Sequence, residues 1–368
     1  MTRVLVDATA IPANRGGVGR YLDGLLGALA SDGSVSVVCQ PRDAERYAAL
    51  GLDVLVAPNR VANTAARLLW EQTGLPRLVR RHGFDVLHSP HYTYPVAGRF
   101  ARVVTIHDLT FFTLPEAHSP VKRTFFRRWL RMLSRRSFPV IADSQATADE
   151  FTSILHADPA RITVAHLGYD PEVFHVPAES DIRGFAASLT PPVSRWIAFL
   201  GTLEPRKNVP ALIAAYRTLD DPPPLLLAGG PGWDAAVGPA VDAAVEAGFD
   251  VRRLGYLPIE QLSAFLGGAE LVAYPSLGEG FGLPVLEAMA TGAAVLTTRE
   301  LSLPEVGGDA VAYSDTSADA LADALRELLA DDAHRTALGK AARERAELFT
   351  WPAAASAHLA AYARAAAP

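Results

Sequence analysis

Apolar positions fall into short runs, separated by longer stretches in which they recur every three or four residues. The short runs lie at 3–7, 35–39, 54–56, 86–88, 103–107 and 140–143. A second series lies at 196–201, 224–229, 251–254, 271–274, 294–297 and 310–313. Between them, residues 19–30, 144–155, 209–216, 259–266 and 317–329 carry helical spacing. Strands alternating with helices predict parallel sheets covered on both faces, and two such series predict two doubly wound α/β domains. The proline-containing polar stretches His175-Val-Pro-Ala-Glu-Ser180 and Leu189-Thr-Pro-Pro-Val193 place the boundary. The expected domains are 1–175 and 195–348, with a linker at 176–194. A last segment, 349–368, ends in an alanine-rich helix expected to pack back on the first domain.

The stretch Glu279-Gly-Phe-Gly-Leu-Pro-Val-Leu-Glu287 sets two carboxylates eight positions apart, around a glycine-rich turn and a proline. Pro284 suits the first turn of a helix, where its missing N–H is no loss. Gly280 and Gly282 let backbone amides approach a ligand closely. A helix over 284–291 would aim its positive end at that loop and favour an anion there. Two acids would repel a bare phosphate. A ligand that also carries hydroxyls would use them as acceptors, and a nucleotide sugar has a diphosphate, a ribose and a hexose. An arbitrary pair of acids at this spacing is a solvated surface feature. The glycines, the proline and the segments below set this pair apart.

Three other segments follow strand-like runs, where ligands gather in open parallel sheets. Gly16-Gly17-Val-Gly-Arg-Tyr21 opens a helix after the first run. Glycines there suit a phosphate or a sugar, or form a plain flexible helix start. The segment is not a dinucleotide-binding G-x-G-x-x-G, which disfavours an NAD-dependent oxidoreductase. His107, in Thr105-Ile-His107-Asp108, can donate to a sugar hydroxyl or a phosphate, or serve the fold alone. His88 and His91 end the preceding run, but with Asp108 they match no standard metal-ligand spacing, so no metal is expected. In Gly201-Thr-Leu-Glu-Pro-Arg206-Lys207-Asn208, adjacent cations precede a helix. They can clamp a diphosphate and neutralise a leaving group, or sit solvated. Glycine loops at 228–232 and 254–258 can hold a flat base.

Residues 121–136 hold seven cations and no acid. Val121, Phe125, Trp129 and Met132 fall on one helical face. Such a helix either lies on an anionic membrane or buries its aromatic residues in the first domain with its arginines in water. The whole chain has 368 residues, 49% hydrophobic, enough for two cores. Its net charge of −6 offers no global field for nucleic acid. A single cysteine, Cys39, excludes an intramolecular disulfide and a multi-cysteine metal site. The chain opens directly into a strand-like run without a signal peptide, and no apolar run is long enough to span a bilayer. A cytoplasmic protein is expected, peripheral on the membrane face if 121–136 meets lipid.

Taken in order, Gly16-Gly-Val-Gly-Arg-Tyr21, His107-Asp108, Ala142-Asp-Ser144, Gly201–Asn208 and Glu279–Glu287 resemble the retaining GT-B glycosyltransferases of family 4. The resemblance spans nearly the whole chain and is specific as a set. It implies an α/β GT-B fold, two Rossmann-like doubly wound parallel-sheet domains facing a cleft, with a C-terminal helix crossing back. It implies a nucleoside diphosphate sugar as donor substrate, no cofactor and no metal. Carried over, Arg206 and Lys207 would bind the donor diphosphate and Glu287 the ribose hydroxyls. Glu279, with the backbone of Gly280, Phe281, Gly282 and Leu283, would hold the transferred sugar. His107 would stand at the reaction centre, and Gly16 and Gly17 would approach the donor phosphates or the acceptor. The family keeps the anomeric configuration by same-face attack with the leaving phosphate as base. The style of the motifs is similar to mannosyltransferases of polysaccharide or glycolipid pathways, so GDP-mannose is the first expected donor. A UDP- or dTDP-sugar, or a non-catalytic nucleotide-sugar-binding regulator, is the alternative. His166-Leu-Gly-Tyr-Asp170 departs from the Asn-Gly of many relatives and leaves the acceptor, a saccharide or glycolipid, open.

Overall fold

Strands that are apolar on both sides need parallel neighbours and helical cover, and the chain builds two sheets of this kind. The computed structural model describes residues 2–13 and 15–367. It divides into one unit of Met1–Gly168 with Thr350–Pro368 and a second of Tyr169–Phe349.

The first unit holds β1 (Val4–Asp7), β2 (Val35–Cys39), β3 (Asp53–Val56), β4 (Val86–Ser89), β5 (Ala101–Ile106), β6 (Val140–Ala142) and β7 (Ile162–Val164). All pair in parallel, in the order β3-β2-β1-β4-β5-β6-β7. One core gathers Leu5, Val38 and Leu87 with Trp70, Leu75 and Val79 of the Thr64–His82 helix. Another joins Val104, Ile106 and Val140 to Leu130, Leu133 and Phe151 from the Pro120–Ser134 and Gln145–Leu155 helices. The second unit holds β8 (Ile197–Leu200), β9 (Leu225–Ala228), β10 (Val251–Gly255), β11 (Leu271–Tyr274), β12 (Val295–Thr298) and β13 (Ala312–Ser314). These too are parallel, in the order β10-β9-β8-β11-β12-β13. Each sheet reverses its strand order once beside its first strand, at β1/β4 and at β8/β11.

Three expectations need correction. Residues 176–194 are not a bare linker, because they contain the Glu179–Ser188 helix. Its Phe185 is buried, with its ring 5.5 Å from Trp196 and 5.6 Å from Phe265, so the segment folds into the second unit. The division falls after Gly168 instead. The apolar face of the Pro120–Ser134 helix is also offset from the expected one. Leu130 and Leu133 are buried and Phe126 and Trp129 pack beside them, while Val121 is 80% exposed. Finally, β7 is a strand that the apolar runs did not announce.

The Trp351–Ala366 helix belongs to the first unit, capped by the Thr350 side chain, which accepts from the Ala353 amide. It packs on the Gly16–Leu29 helix, where Trp351 lies flush against Gly24. A Cβ at position 24 would fall 2.0 Å from the indole, so only glycine fits there.

Candidate functional site

At the carboxyl ends of β8 and β11, the second unit gathers the residues that carry charge. A 3-10 turn, Pro205–Lys207, follows β8 and turns Arg206 and Lys207 towards the loop after β11. Lys207 Nζ donates to Glu279 Oε1 at 2.6 Å and to the Tyr274 hydroxyl. Arg206 Nη1 donates to Glu279 Oε2 and, at 3.0 Å, to the carbonyl of Gly278. Ser276 Oγ and Tyr274 OH donate to Glu279 Oε1 at 2.6 and 3.0 Å. Ser302 Oγ holds the Glu279 carbonyl at 2.7 Å. Burial pushes the Glu279 carboxyl up, but Arg206 and Lys207 outweigh it and hold it down at about 2. Burial and the neighbouring Arg206 pull the Lys207 ammonium down, against Glu279. Glu204 lies 3.4 Å from Arg206 Nε on the outer side.

The expected assignment gave the diphosphate to the two cations and the sugar to Glu279. The structure joins all three in one cluster. Beyond it, Gly282 sits at φ +101° and starts the Leu283–Ala290 helix, with Pro284 in the first turn. Glu287 is buried on this helix. The Phe281 ring is buried 5.8 Å from that of Phe349, so this side chain serves packing, and a ligand contact at 280–283 falls to the backbone. Tyr274, Ser276 and Ser302 were not foreseen. Tyr274 and Ser276 close a strand's carboxyl end, which was the available signal.

In the first unit His107 follows β5. Its Nε2 lies 3.1 Å from the Pro90 carbonyl, which can only accept, so Nε2 carries hydrogen. Its Nδ1 lies 2.7 Å from Asp143 Oδ2. Burial lowers the proton affinity of His107, but the attraction of Asp143 outweighs it and raises it overall. Both ring nitrogens are thus engaged. For His107 to donate to a ligand, Nε2 has to leave Pro90. Tyr21 packs its ring edge-on to His107 at 5.1 Å. Gly16 and Gly17 begin the Gly16–Leu29 helix with open space where side chains would lie. Arg15, which sequence reasoning passed over, anchors their approach. It donates to Asp43 Oδ1 at 2.7 Å, to Asp23 Oδ2 at 2.8 Å and to Tyr47 OH at 2.6 Å. His88 does not join His91 and Asp108 around a metal. It is buried, bonded to Thr105 and Tyr362. Among the described residues, one group of candidate metal ligands does converge, Asp7, Glu71 and His91, with ligand atoms within 4.8 Å of one another.

Two doubly wound parallel sheets, one bearing a cation–carboxylate cluster at its switch point, define the class of GT-B glycosyltransferases. Comparison with known proteins narrows this. The family described as Glycosyltransferase Family 4 matches residues 15–173, and Glycosyl transferases group 1 matches residues 185–345. The chain is 30% identical over 280 residues to the O-antigen chain mannosyltransferase B of Escherichia coli, covering 72% of this chain and 71% of that one. It is 32% identical over 342 residues to the D-inositol 3-phosphate glycosyltransferase of Mycolicibacterium smegmatis, covering 86% and 74%. The corresponding enzyme of Corynebacterium glutamicum is matched at 34% identity over only 54% of its length. Among solved structures, Anabaena HepE in complex with UDP and glucose superposes with a TM-score of 0.79 at 19% identity, covering 98% of each chain. The chain belongs to the group 1, family 4 glycosyltransferases and is a transferase enzyme.

Proposed function

We propose that the chain moves a hexose, mannose from GDP-mannose in the first instance, to a hydroxyl of a saccharide or glycolipid acceptor with retention of configuration. One observation carries the reading: Arg206, Lys207 and Glu279 are assembled at the β8/β11 switch point, where an open parallel sheet binds its ligand. A diphosphate offers the two cations the same kind of charge-assisted bond that Glu279 now supplies. Exchange of phosphate for carboxylate releases Glu279 to accept from hydroxyls of the sugar. The same cations then neutralise the departing diphosphate as the glycosidic bond breaks. Glu287, on the helix that starts at Gly282, is the acceptor for the ribose. His107 acts as a cationic donor beside the reacting sugar, once Nε2 is released from Pro90. No metal enters this scheme. The mannosyltransferase relative supports the donor sugar, and a neighbour solved with UDP and glucose makes a UDP-sugar the competing donor.

Peripheral contact with anionic lipid through 121–136 belongs to the same reading for a lipid-borne acceptor. Lys122, Arg128, Arg131, Arg135 and Arg136 are exposed there.

The test is a thermal-shift titration with GDP-mannose, UDP-glucose and dTDP-glucose, followed by NMR of the anomeric proton of the product. Stabilisation by GDP-mannose and a retained anomeric configuration are expected. Stabilisation by UDP-glucose alone would replace the donor. Binding of every donor without hydrolysis or transfer would leave a regulator.

A further inference from the structure

The side-chain donors gathered around the Glu279 carboxylate are not alike, and they are shared unequally between its two oxygens. Among the described residues, Oε2 accepts from Arg206 alone. Oε1 accepts from Lys207 Nζ at 2.6 Å, Ser276 Oγ at 2.6 Å and Tyr274 OH at 3.0 Å. Two of these donors are cations and two are neutral hydroxyls. The sequence explains the hydroxyls. Tyr274 ends β11, and Pro275 after it keeps it extended. Side chains two positions apart on an extended chain leave on the same side, so Tyr274 and Ser276 meet the same oxygen. Both are fully buried, and both are anchored without help from the cations. At the end of β12, Thr297 Oγ1 donates to the Tyr274 carbonyl at 2.8 Å and Thr298 Oγ1 to the Ser276 carbonyl at 2.6 Å. Phe199 of β8 stacks on the Tyr274 ring, with centroids 5.8 Å apart and planes 15° apart. Burial, then the charge of Glu279, drives the Tyr274 hydroxyl well above its ordinary range, so it keeps its proton and stays a donor.

A diphosphate that draws Arg206 and Lys207 to itself acts differently on the two oxygens. Oε2 loses its donor, while Oε1 keeps two. A buried carboxylate stripped of every donor would follow the cations or take up a proton. Here the two hydroxyls hold it in place and ionised. We propose that Tyr274 and Ser276 are positioning residues for the transferred sugar: they pin Glu279 Oε1, so that Oε2 opens to a sugar hydroxyl once a diphosphate holds the cations. The inference rests on the glycosyl-transfer reading and deepens it. Ser302 does for the main chain what the pair does for the side chain, holding the Glu279 carbonyl at 2.7 Å. A free hexose, which brings no diphosphate, meets Oε2 still bonded to Arg206. The sugar is therefore held only as part of the nucleotide sugar.

The experiment compares wild type, Tyr274→Phe, Ser276→Ala and the double variant, each change removing one oxygen. Hydrolysis of GDP-mannose, UDP-glucose and dTDP-glucose is followed in the full chain. Calorimetry is run with GDP and UDP, and with deoxy analogues of whichever donor wild type turns over. The double variant is expected to hydrolyse saturating donor about tenfold more slowly, with nucleoside diphosphate affinity within about twofold of wild type. A merely structural role would weaken bare and sugar-bearing nucleotides alike. One deoxy analogue should lose affinity in wild type, and that loss should shrink in the double variant, because the missing hydroxyl and the pinned oxygen act as a pair. The inference is overturned if the double variant turns over at the wild-type rate. It is equally overturned if turnover and nucleoside diphosphate affinity fall by the same factor, or if the deoxy penalty is the same in both proteins. Should the double variant fail to melt cooperatively, the single variants answer the same questions. A wild type that turns over no nucleotide sugar would sink the glycosyl-transfer reading and the inference with it. A wild type that turns over while the variants match it would sink the inference alone.

Discussion

Acidification should loosen the first unit in a window set by one histidine of the C-terminal helix. Tyr362, His88, Thr105, Tyr21 and His358 form a buried hydrogen-bonded chain, with contacts of 2.8, 2.8, 3.0 and 2.8 Å. Its direction is fixed at one end. His358 Nδ1 lies 2.7 Å from the Ala354 carbonyl and must donate, so neutral His358 accepts from Tyr21 at Nε2. Tyr21 then accepts from Thr105, Thr105 from His88 Nε2, and His88 Nδ1 from Tyr362. A proton on His358 Nε2 would oppose the Tyr21 hydroxyl and reverse every later link. Burial lowers His358 to about 4 and drives His88 well below its ordinary range, with charge on His107 acting in the same sense on both. The unfolded chain protonates His358 near 6.5, so it binds more protons than the folded chain between about 6.5 and 4. The His358 contribution is therefore complete above that window, falls as pH drops through it and levels off below, while His88, also lowered, draws stability down in the same direction. A shift from 6.5 to about 4 corresponds to about 3 kcal/mol. His107, raised by Asp143, gains from acid rather than losing, and the Glu279 contribution is lost only from about 4.5 down towards 2. Urea unfolding at pH 7, 6, 5 and 4.5, followed by tryptophan fluorescence, should show the loss. His358→Gln, whose amide oxygen can still accept from Tyr21, should start lower at pH 7 and lose less on acidification. Parallel losses in both proteins would refute the assignment to His358.

Arg206→Ala and Lys207→Ala each remove charge-assisted contacts of about 1.5–3 kcal/mol. Calorimetry should show nucleoside diphosphate affinity several-fold lower, less than those contacts alone would give because each cation also gives up its bond to Glu279, and unchanged affinity in both would reject the clamp. Gly24→Ala puts a methyl into the Trp351 ring, and overpacking of this kind destabilises by about 1–3 kcal/mol. The effect should appear as a lower melting temperature and faster proteolysis near residue 350, and an unchanged melt would deny the close contact. Replacing Arg128, Arg131 and Arg135 by glutamine should spare folding and donor hydrolysis while reducing sedimentation with anionic vesicles at low salt. Equal sedimentation would assign the helix to the first core alone.

The sheets were legible because parallel strands announce themselves as short apolar runs between helical periods. The exception, β7, is three half-buried residues at the sheet's edge, too short and too mixed to stand out. The boundary was misplaced because the prolines at 177, 191 and 192 signalled turns, while Phe185, the one aromatic anchor of the Glu179–Ser188 helix, has only Ala186 as a buried neighbour in that helix. Within the site, each of Arg206, Lys207 and Glu279 was legible from its local motif. Their mutual contact was not, since Lys207 and Glu279 lie 72 positions apart and only the pairing of β8 with β11 brings them together. Asp7 and Glu71 carry no motif at all. One ends a strand and the other lies inside a helix, and their meeting with His91 depends on the order of β1 and β4.

The two switch points differ in a way that bears on how ligands enter. Among the described residues, the buried side-chain atoms that lack a hydrogen-bond partner belong to the first unit: on Asp7, Asp43, His91, Tyr94 and Asp143. In the second unit Arg206 and Lys207 already hold an anion, Glu279, so a diphosphate binds there by replacement and gains only the difference between two sets of charge-assisted bonds. Neutralising Glu279 should then have opposite effects on two measurements. Glu279→Gln removes the carboxylate charge that faces the two cations and leaves one amide oxygen in place of two carboxylate oxygens, and so lowers what the incoming phosphate must displace by about 1 kcal/mol or more. GDP or UDP alone should bind several-fold tighter, as read by calorimetry. Transfer and donor hydrolysis should fall, because the carboxylate that accepts from the sugar is gone. Loss of the Glu279 charge also leaves the buried Lys207 less well held, so the variant should melt lower without nucleotide and regain more on adding it. Weaker GDP binding by Glu279→Gln, to the degree seen with Arg206→Ala, would show that Glu279 organises the cations for phosphate rather than competing with it, and the replacement scheme would fall.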